Sequence, residues 1–211
     1  MDLLGTGVSI EHEAKFILDD RPDMEHLLRS LGRLRTPWHF ESNTLYDRRG
    51  ELASSGRLLR LRRALTSTLT FKEPAPGPGT DGVKSRTELE TRLYDPQAMD
   101  AILQGLGYAP QLRYEKFRSV WELSQGLVCL DILPFGDFLE IEALPEQIGT
   151  IARHLGLDPG SASDKSYHAL HQSWRRHSGL AACDDFVFDE ARRLQLTILL
   201  GCGAQGEANA D

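Results

Sequence analysis

Charged side chains alternate with large apolar ones in segment after segment of this 211-residue chain. The first such run places Glu11, Glu13 and Lys15 on one face of a strand, because side chains in a strand repeat every two residues. The same alternation recurs at Arg60 and Arg62, at Thr68, Thr70 and Lys72, at Arg86, Glu88, Glu90 and Arg92, at Lys116 and Arg118, and at Asp131, Glu140 and Glu142. The sequence therefore predicts strands with one charged face and one apolar face.

These charged faces are unusual for a sheet that only meets solvent, since such a face also tolerates Ser, Thr, Asn and Gln. The segments between the strands carry apolar stripes with helical spacing, which could cover the apolar faces. A closed antiparallel β-barrel satisfies both patterns, with helices packed outside and the charged faces inside around a lumen. The predicted fold class is therefore α+β. For any single strand taken alone, the alternative is that its charged face meets solvent in an open sheet.

The strand blocks cover residues 8–18, about 44–93 and about 111–144. We expect helices after Asp20, from Pro96 to Gly107, from Pro145 to Gly156, from Ser163 to Arg175, and from Asp184 or Asp185 towards Leu200. Residues 77–82 match the pattern GxGxxG, but an alternating strand follows them, so we interpret the segment as a hairpin loop. The predicted units are a tunnel domain over residues 1–180, a C-terminal helix over 181–200 and a disordered tail over 201–211.

A lumen lined by these residues would hold both carboxylates and cations. Clustered carboxylates repel one another unless a hard cation such as Mg²⁺ or Mn²⁺ neutralises them. Clustered Arg and Lys favour an anion, and the planar fork of Arg suits phosphate oxygens. Together they indicate a metal–polyphosphate site, with Asp131, Glu140 and Glu142 as the main metal cluster and Glu11 and Glu13 as the second. Internal salt bridges are the alternative interpretation of each pair.

Composition narrows the class of protein. The net charge of −7 argues against a nucleic-acid binder. No stretch approaches the ~20 consecutive apolar residues of a membrane helix, and the first residues lack the features of a secretion signal. The three cysteines form no CxxC motif and are odd in number, which favours reduced thiols and a cytoplasmic protein.

The segment from Glu11 to Lys15, EHEAK, resembles the ExExK signature of the CYTH superfamily, the triphosphate tunnel metalloenzymes. The resemblance spans residues 8 to about 175 and continues in order through Tyr46-Asp47, Gly56 to Arg62, Thr70 to Lys72, Glu88 to Glu90, Lys116 to Arg118, Asp131, Glu140 to Glu142 and Asp164 to Tyr167. The superfamily includes thiamine triphosphatases, inorganic triphosphatases and class IV adenylate cyclases. It implies an eight-stranded antiparallel tunnel.

The resemblance also implies roles for individual side chains. Divalent metal would be bound by Glu11, Glu13, Asp131, Glu140 and Glu142. The triphosphate would be bound by Lys15, Arg60, Arg62, Lys72, Arg118 and Lys165, with Glu88 and Glu90 lining the tunnel. Catalysis is assigned to Glu11, Glu13, Lys15 and Lys72. For Lys165, a solvated lysine at the start of a helix is the alternative.

Departures from the family patterns bear on the reaction. Thiamine triphosphatases carry an aromatic residue where Leu45 stands and a tryptophan where Leu58 stands, and the best-known class IV cyclases carry a His-Phe pair where residues 6–10 read TGVSI. We therefore predict a triphosphatase that depends on Mg²⁺ or Mn²⁺ and acts on a triphosphate-bearing small molecule. An adenylate cyclase and a non-enzymatic polyphosphate-binding module are the alternatives. The protein is expected to be a monomer or homodimer that binds neither nucleic acid nor a membrane.

Overall fold

The computed structural model describes residues 8–77 and 79–202. The strands are β1 (Val8–Leu18), β2 (Arg33–Asp47), β3 (Leu58–Arg63), β4 (Thr68–Pro74), β5 (Lys84–Arg92), β6 (Ala109–Leu123), β7 (Gly126–Leu133) and β8 (Gly136–Ala143). The α-helices are α1 (Arg21–Leu31), α2 (Glu51–Ser54), α3 (Pro96–Gly105), α4 (Pro145–His154), α5 (Tyr167–His177) and α6 (Glu190–Leu199).

The eight strands close into a ring in the order β1-β5-β4-β3-β2-β6-β7-β8, and β8 pairs back to β1. Every pair is antiparallel, and β4 and β5 form the hairpin that the sequence predicts around residues 77–82. The predicted α+β fold, with antiparallel strands and a ring-like sheet, is confirmed. Because the ring closes, each of these eight strands has a partner strand on both sides.

The apolar faces of the strands point outwards, where helices cover them. The largest cluster joins Phe16, Leu139 and Ile141 of the ring to residues of α1 and α4. Smaller clusters lie beneath α6, around Phe117, and beneath α3, around Leu61. Burying one large apolar side chain contributes about 1.5–3 kcal/mol. The outer layers therefore stabilise the ring and leave its inner face free to carry charge.

Strand β2 is longer than the sequence analysis placed it. It begins at Arg33, whereas the strand block was predicted from about Thr44. Its pairing with β6 shifts register between Leu34 and Thr36 and again before residue 39, so alternation is broken in this stretch. Beyond the shifts, the polar residues on its inner face are His39, Glu41 and Asn43.

Two helices begin later than predicted because capping side chains lie further along the chain. Helix α5 begins at Tyr167 rather than Ser163, and the Ser166 side chain accepts a hydrogen bond from a backbone N–H of its first turn. Helix α6 begins at Glu190, with Asp189 in the same capping role. The residues before α6 are extended, and this matters for the cavity described below.

Part of the predicted tail, residues 203–211, lies outside the described residues, as do residues 6 and 7 of the TGVSI segment. Among the helices that are described, none is long and apolar enough to cross a membrane.

Candidate functional site

The ring encloses a cavity of about 720 Å³. Nine Lys and Arg side chains and seven Glu side chains line it, so the inner face carries charges of both signs at high density. Eleven of the predicted site residues are on its wall: Glu11, Glu13, Lys15, Arg60, Arg62, Lys72, Glu88, Glu90, Arg118, Glu140 and Glu142. The structure thus brings together side chains that are spread over more than 130 residues of sequence.

Strands β1 and β8 contribute an acidic wall, which we define as Glu11, Glu13, Glu140 and Glu142. Their register sets Glu13 opposite Glu142 and Lys15 opposite Glu140. The Nζ atom of Lys15 lies 2.8 Å from Glu13 and 2.7 Å from Glu140. Burial disfavours the charge on Lys15, but these two carboxylates outweigh it and raise its pKa. Lys15 therefore holds two members of the acidic wall together.

Glu142 has the weakest cationic compensation in the acidic wall. Its nearest cation, Nη1 of Arg118, is 3.7 Å away. Burial raises the pKa of Glu142 to about 7; Arg118 opposes the rise, and the charges of Glu140, Glu11 and Glu13 add to it. A cation bound beside this carboxyl would favour its ionised form.

Strands β3, β4 and β6 contribute a basic wall, which we define as Arg60, Arg62, Lys72, Lys116 and Arg118. Most of these cations are paired with carboxylates on nearby strands of the ring. Lys72 bonds to Glu11 and lies 2.7 Å from Glu88. Arg62 lies 3.0 Å from Glu90. Internal salt bridges, the alternative interpretation of the sequence, are thus present in the ring.

Arg60 is the exception in the basic wall. Its Nη1 donates to the hydroxyl of Tyr114 at 3.2 Å and its Nη2 to the hydroxyl of Thr70 at 3.5 Å. Its Nε is buried and has no hydrogen-bond partner, and Arg60 forms no salt bridge with any described residue. A buried donor without a partner costs free energy, and an anion in the cavity would supply that partner.

Asp131, a predicted metal ligand, is not on the cavity wall. It is fully buried and accepts hydrogen bonds from Nε of Arg118 at 2.7 Å, Nζ of Lys116 at 3.3 Å and the hydroxyl of Tyr167 at 2.7 Å. These contacts give it a structural role, which is to hold two cations of the basic wall in place. Its binding of metal stays a prediction.

We expect Asp131→Asn to destabilise the protein by about 3–5 kcal/mol, because it removes the fully buried carboxylate that the cations of Lys116 and Arg118 share. The matched control is Asp137→Asn, which breaks a more exposed pair with Arg21 (3.2 Å) and should cost about 1 kcal/mol or less. Urea midpoints of the two variants measure the difference. Equal, small losses would show that the Asp131 network is not structural.

Two further predicted positions also lie off the wall. Lys165 is exposed and precedes α5, and its backbone N–H donates to the hydroxyl of Ser163 at 3.3 Å. Arg86, included in the charged alternation, donates to the carbonyl of Gly56 instead. The structure therefore does not bring either cation to the cavity.

The sequence analysis missed His39 and Glu41, which line the cavity from β2. Nε2 of His39 is 3.2 Å from Glu41. Burial opposes the charge on Glu41, yet Lys116, the bond to His39 and Arg62 hold its pKa well below its ordinary value. The polar alternation within residues 38–43 could have identified both side chains.

Among the residues that the structure describes, no three His, Cys, Asp or Glu side chains are arranged to hold a metal ion as they stand. The carboxylates are drawn instead to Lys15, Lys72 and Arg118. The donor set fits a hard divalent cation nonetheless, because the acidic wall offers only carboxylate oxygens, which Mg²⁺ and Mn²⁺ prefer. Binding a metal would require some of these ion pairs to exchange partners.

Comparison with known proteins agrees with this geometry. Among solved structures, the chain is similar to the PH1012 protein of Pyrococcus horikoshii, with 25% identity and a TM-score of 0.63, over 74% of this chain and 96% of that one. It is similar in fold to a proposed adenylate cyclase from Vibrio parahaemolyticus (20% identity, TM-score 0.65, 77% and 98% covered). A proposed adenylyl cyclase from Hippeastrum, described as having a dominant triphosphatase activity, is also similar in fold, with 20% identity and a TM-score of 0.56, over 82% of this chain and 98% of that one.

A search of curated protein sequences finds no match to the chain. The CYTH domain model, however, matches residues 9–167. That span contains all eight strands of the ring, apart from the first residue of β1, and every predicted site residue. The chain belongs to the CYTH family.

Proposed function

We propose that the protein is a divalent-metal-dependent triphosphatase that hydrolyses the terminal phosphoanhydride of a triphosphate. One observation carries the proposal: within a single cavity, Arg60 has no carboxylate partner among the described residues, while Glu142 has only one cation nearby, Arg118 at 3.7 Å. A polyphosphate would satisfy the first group and a divalent cation the second. A metal–triphosphate complex supplies both at once.

The basic wall and Lys15 would bind the phosphate oxygens and spread their charge, which is how preorganised cations lower the barrier to phosphoryl transfer. The acidic wall would hold Mg²⁺ or Mn²⁺, which as a Lewis acid polarises a phosphoryl oxygen. Glu11 or Glu13 would accept a proton from the attacking water. Lys15 and Lys72 would stabilise the charge that develops on the transferred group.

Adenylate cyclase is the second candidate, favoured by the description of the Vibrio protein with the same fold. It would use the same two walls, with the ribose hydroxyl of ATP as nucleophile and pyrophosphate as leaving group. The description of the Hippeastrum protein favours hydrolysis. The two reactions differ in their products.

The deciding experiment incubates the purified protein with ATP and, separately, with tripolyphosphate, in Mg²⁺ or Mn²⁺, and resolves the products by chromatography. ADP with phosphate, or breakdown of tripolyphosphate, supports the triphosphatase. Cyclic AMP with pyrophosphate would overturn it in favour of the cyclase. Binding without turnover in either metal would show a polyphosphate-binding module instead.

We also propose a cytoplasmic protein, a monomer or homodimer, that acts on a small molecule rather than on nucleic acid. Cys129, Cys183 and Cys202 are all free thiols, which suits a reducing compartment. The net charge of −7 disfavours nucleic acid. Light scattering on the purified protein would determine its oligomeric state.

A further inference from the structure

Lys84 is a cation on the cavity wall that the sequence analysis did not single out. It is the first residue of β5 and lies on the same face as Glu88 and Glu90, which line the cavity with it. Its partner in the register of β1 is Glu13 of the acidic wall, and its Nζ donates a hydrogen bond to Oε1 of Glu13 at 3.0 Å. Lys84 therefore brings a positive charge to the wall that would hold the metal.

Glu13 does not depend on Lys84 for compensation of its charge. The same oxygen, Oε1, lies 2.8 Å from Nζ of Lys15. Lys15 is also held by Glu140, and its side chain is only 3% exposed, whereas the side chain of Lys84 is 22% exposed. Lys15 is thus built into the acidic wall, while Lys84 lies at its surface.

Lys84 is the most weakly held of the four lysines that line the cavity. Lys15, Lys72 and Lys116 each form ion pairs with two carboxylates, whereas Lys84 pairs only with Glu13 among the described residues. A lysine carries its charge on a flexible stem, and its three donors rotate freely. A change of partner therefore breaks one ion pair for Lys84 and two for each of the others.

A metal ion on the acidic wall would compete with Lys84 for the same carboxylate. Mg²⁺ and Mn²⁺ would be bound through carboxylate oxygens such as those of Glu13, and two cations at one oxygen repel each other. Once displaced, the ammonium group would have no other carboxylate partner in the described part of the chain. A phosphate oxygen of the metal-bound triphosphate would supply a charged acceptor in the same cavity.

We propose that Lys84 is a further substrate-binding residue, which pairs with Glu13 in the metal-free protein and transfers to the triphosphate when a metal ion takes that carboxylate. The inference rests on the proposed function and adds a residue that the family resemblance does not imply. It also couples the two ligands, because metal binding frees a cation for the phosphate chain.

The test compares Lys84→Met, which removes the charge and keeps an unbranched side chain, with Arg33→Met. Arg33 is an exposed cation at the start of β2 that pairs with Glu122 and does not line the cavity, so this control loses the same formal charge. Calorimetry would measure the affinity of each protein first for Mn²⁺ alone and then, at saturating Mn²⁺, for diimidotriphosphate. Neither measurement requires turnover.

We expect Lys84→Met to bind Mn²⁺ about tenfold more tightly than the wild-type protein, since neighbours of metal ligands change metal affinity by roughly 10–100-fold. Its affinity for diimidotriphosphate should fall about tenfold or more, the loss expected for one hydrogen bond between charged groups. Lys84→Arg should restore both affinities in large part, and Arg33→Met should change neither. If Lys84→Met does not fold, Lys84→Gln keeps a polar group at the cavity surface and gives the same readout.

The two changes have opposite signs, which a lysine that only stabilises the ring would not produce. Any result other than a gain in affinity for Mn²⁺ together with a loss for diimidotriphosphate would overturn the inference. Opposite changes in a protein that hydrolyses no triphosphate would overturn the proposed function alone. Failure of both the wild-type protein and Lys84→Met to bind Mn²⁺ would overturn both.

Discussion

Glu142→Gln should lower metal-dependent turnover on the order of a hundredfold or more while the ring stays folded. The amide keeps the size of the side chain but removes the charge of the least compensated carboxylate in the acidic wall. Measuring kcat/KM against Mg²⁺ and Mn²⁺ concentration would separate a loss of metal affinity from a loss of turnover at saturating metal.

The same substitution should make the metal-free protein more stable above neutral pH. Burial raises the pKa of Glu142 to about 7 from an ordinary value of 4.5, so the folded state keeps a proton that the unfolded chain has released. This stabilisation is complete below about pH 4.5 and is lost as the pH rises to about 7. In chelator, the wild-type protein should lose about 1–3 kcal/mol from this group between pH 5 and 8, and the variant should not. Urea midpoints at both pH values measure the loss.

Glu73→Gln is the matched control, because strand alternation places Glu73 on the outer face of β4. It should change neither the metal dependence nor the slope of stability with pH. If Glu142→Gln behaved like this control at limiting metal, the acidic wall would not be the metal site.

Arg60→Ala should reduce kcat/KM on tripolyphosphate by about a hundredfold to a thousandfold, the usual cost of removing one preorganised donor to a developing negative charge. Its stability should change little, because no carboxylate in the described part of the chain pairs with Arg60 and would be left uncompensated. Arg60→Lys should restore activity only in part, since an ammonium group cannot bind two phosphate oxygens as the guanidinium fork does. Steady-state kinetics with parallel urea midpoints would test all three expectations.

Arg63→Ala provides the control on the same strand. Arg63 lies on the outer face of β3, where it is 3.8 Å from Asp100. The Arg63→Ala variant should stay within about 0.5 kcal/mol of the wild-type protein in both its free energy of unfolding and its transition-state energy. An equally silent Arg60→Ala would rule out the polyphosphate site.

The ring itself could be predicted because the pattern that encodes it is local. Alternation of period two assigns each side chain of β1, β3, β4 and β5 to a face without knowledge of the rest of the chain. These strands carry full charges on one face and large apolar groups on the other, and amphipathic helices lie between the strands in sequence. The pattern therefore favours a ring with a charged interior. Eleven of the thirteen predicted site residues are therefore on the cavity wall.

The residues and helix boundaries that the sequence analysis did not predict correctly also have specific structural causes. His39 and Glu41 were overlooked because the register shifts early in β2 interrupt the alternation that precedes them. Asp131 lies on the charged face of its strand, as the alternation predicts. It is not on the cavity wall because Arg118, Lys116 and Tyr167 donate hydrogen bonds to it and bury it, and these contacts depend on other strands and on α5. The start of α6 was placed too early because the sequence offers several acidic caps before Asp189.

Where the alternation is unbroken, the sequence by itself determined which side chains face inwards, since that depends only on neighbours two residues apart. Only the tertiary structure decided which charges are paired, because the distances between them depend on the register and closure of strands far apart in the chain. Ring closure pairs Lys15 with Glu140, and in the described part of the chain it leaves Arg60 without a carboxylate partner and Glu142 with only Arg118, 3.7 Å away. Packing of the C-terminal segment along β6, a contact that no local pattern encodes, brings Phe186 to the cavity wall.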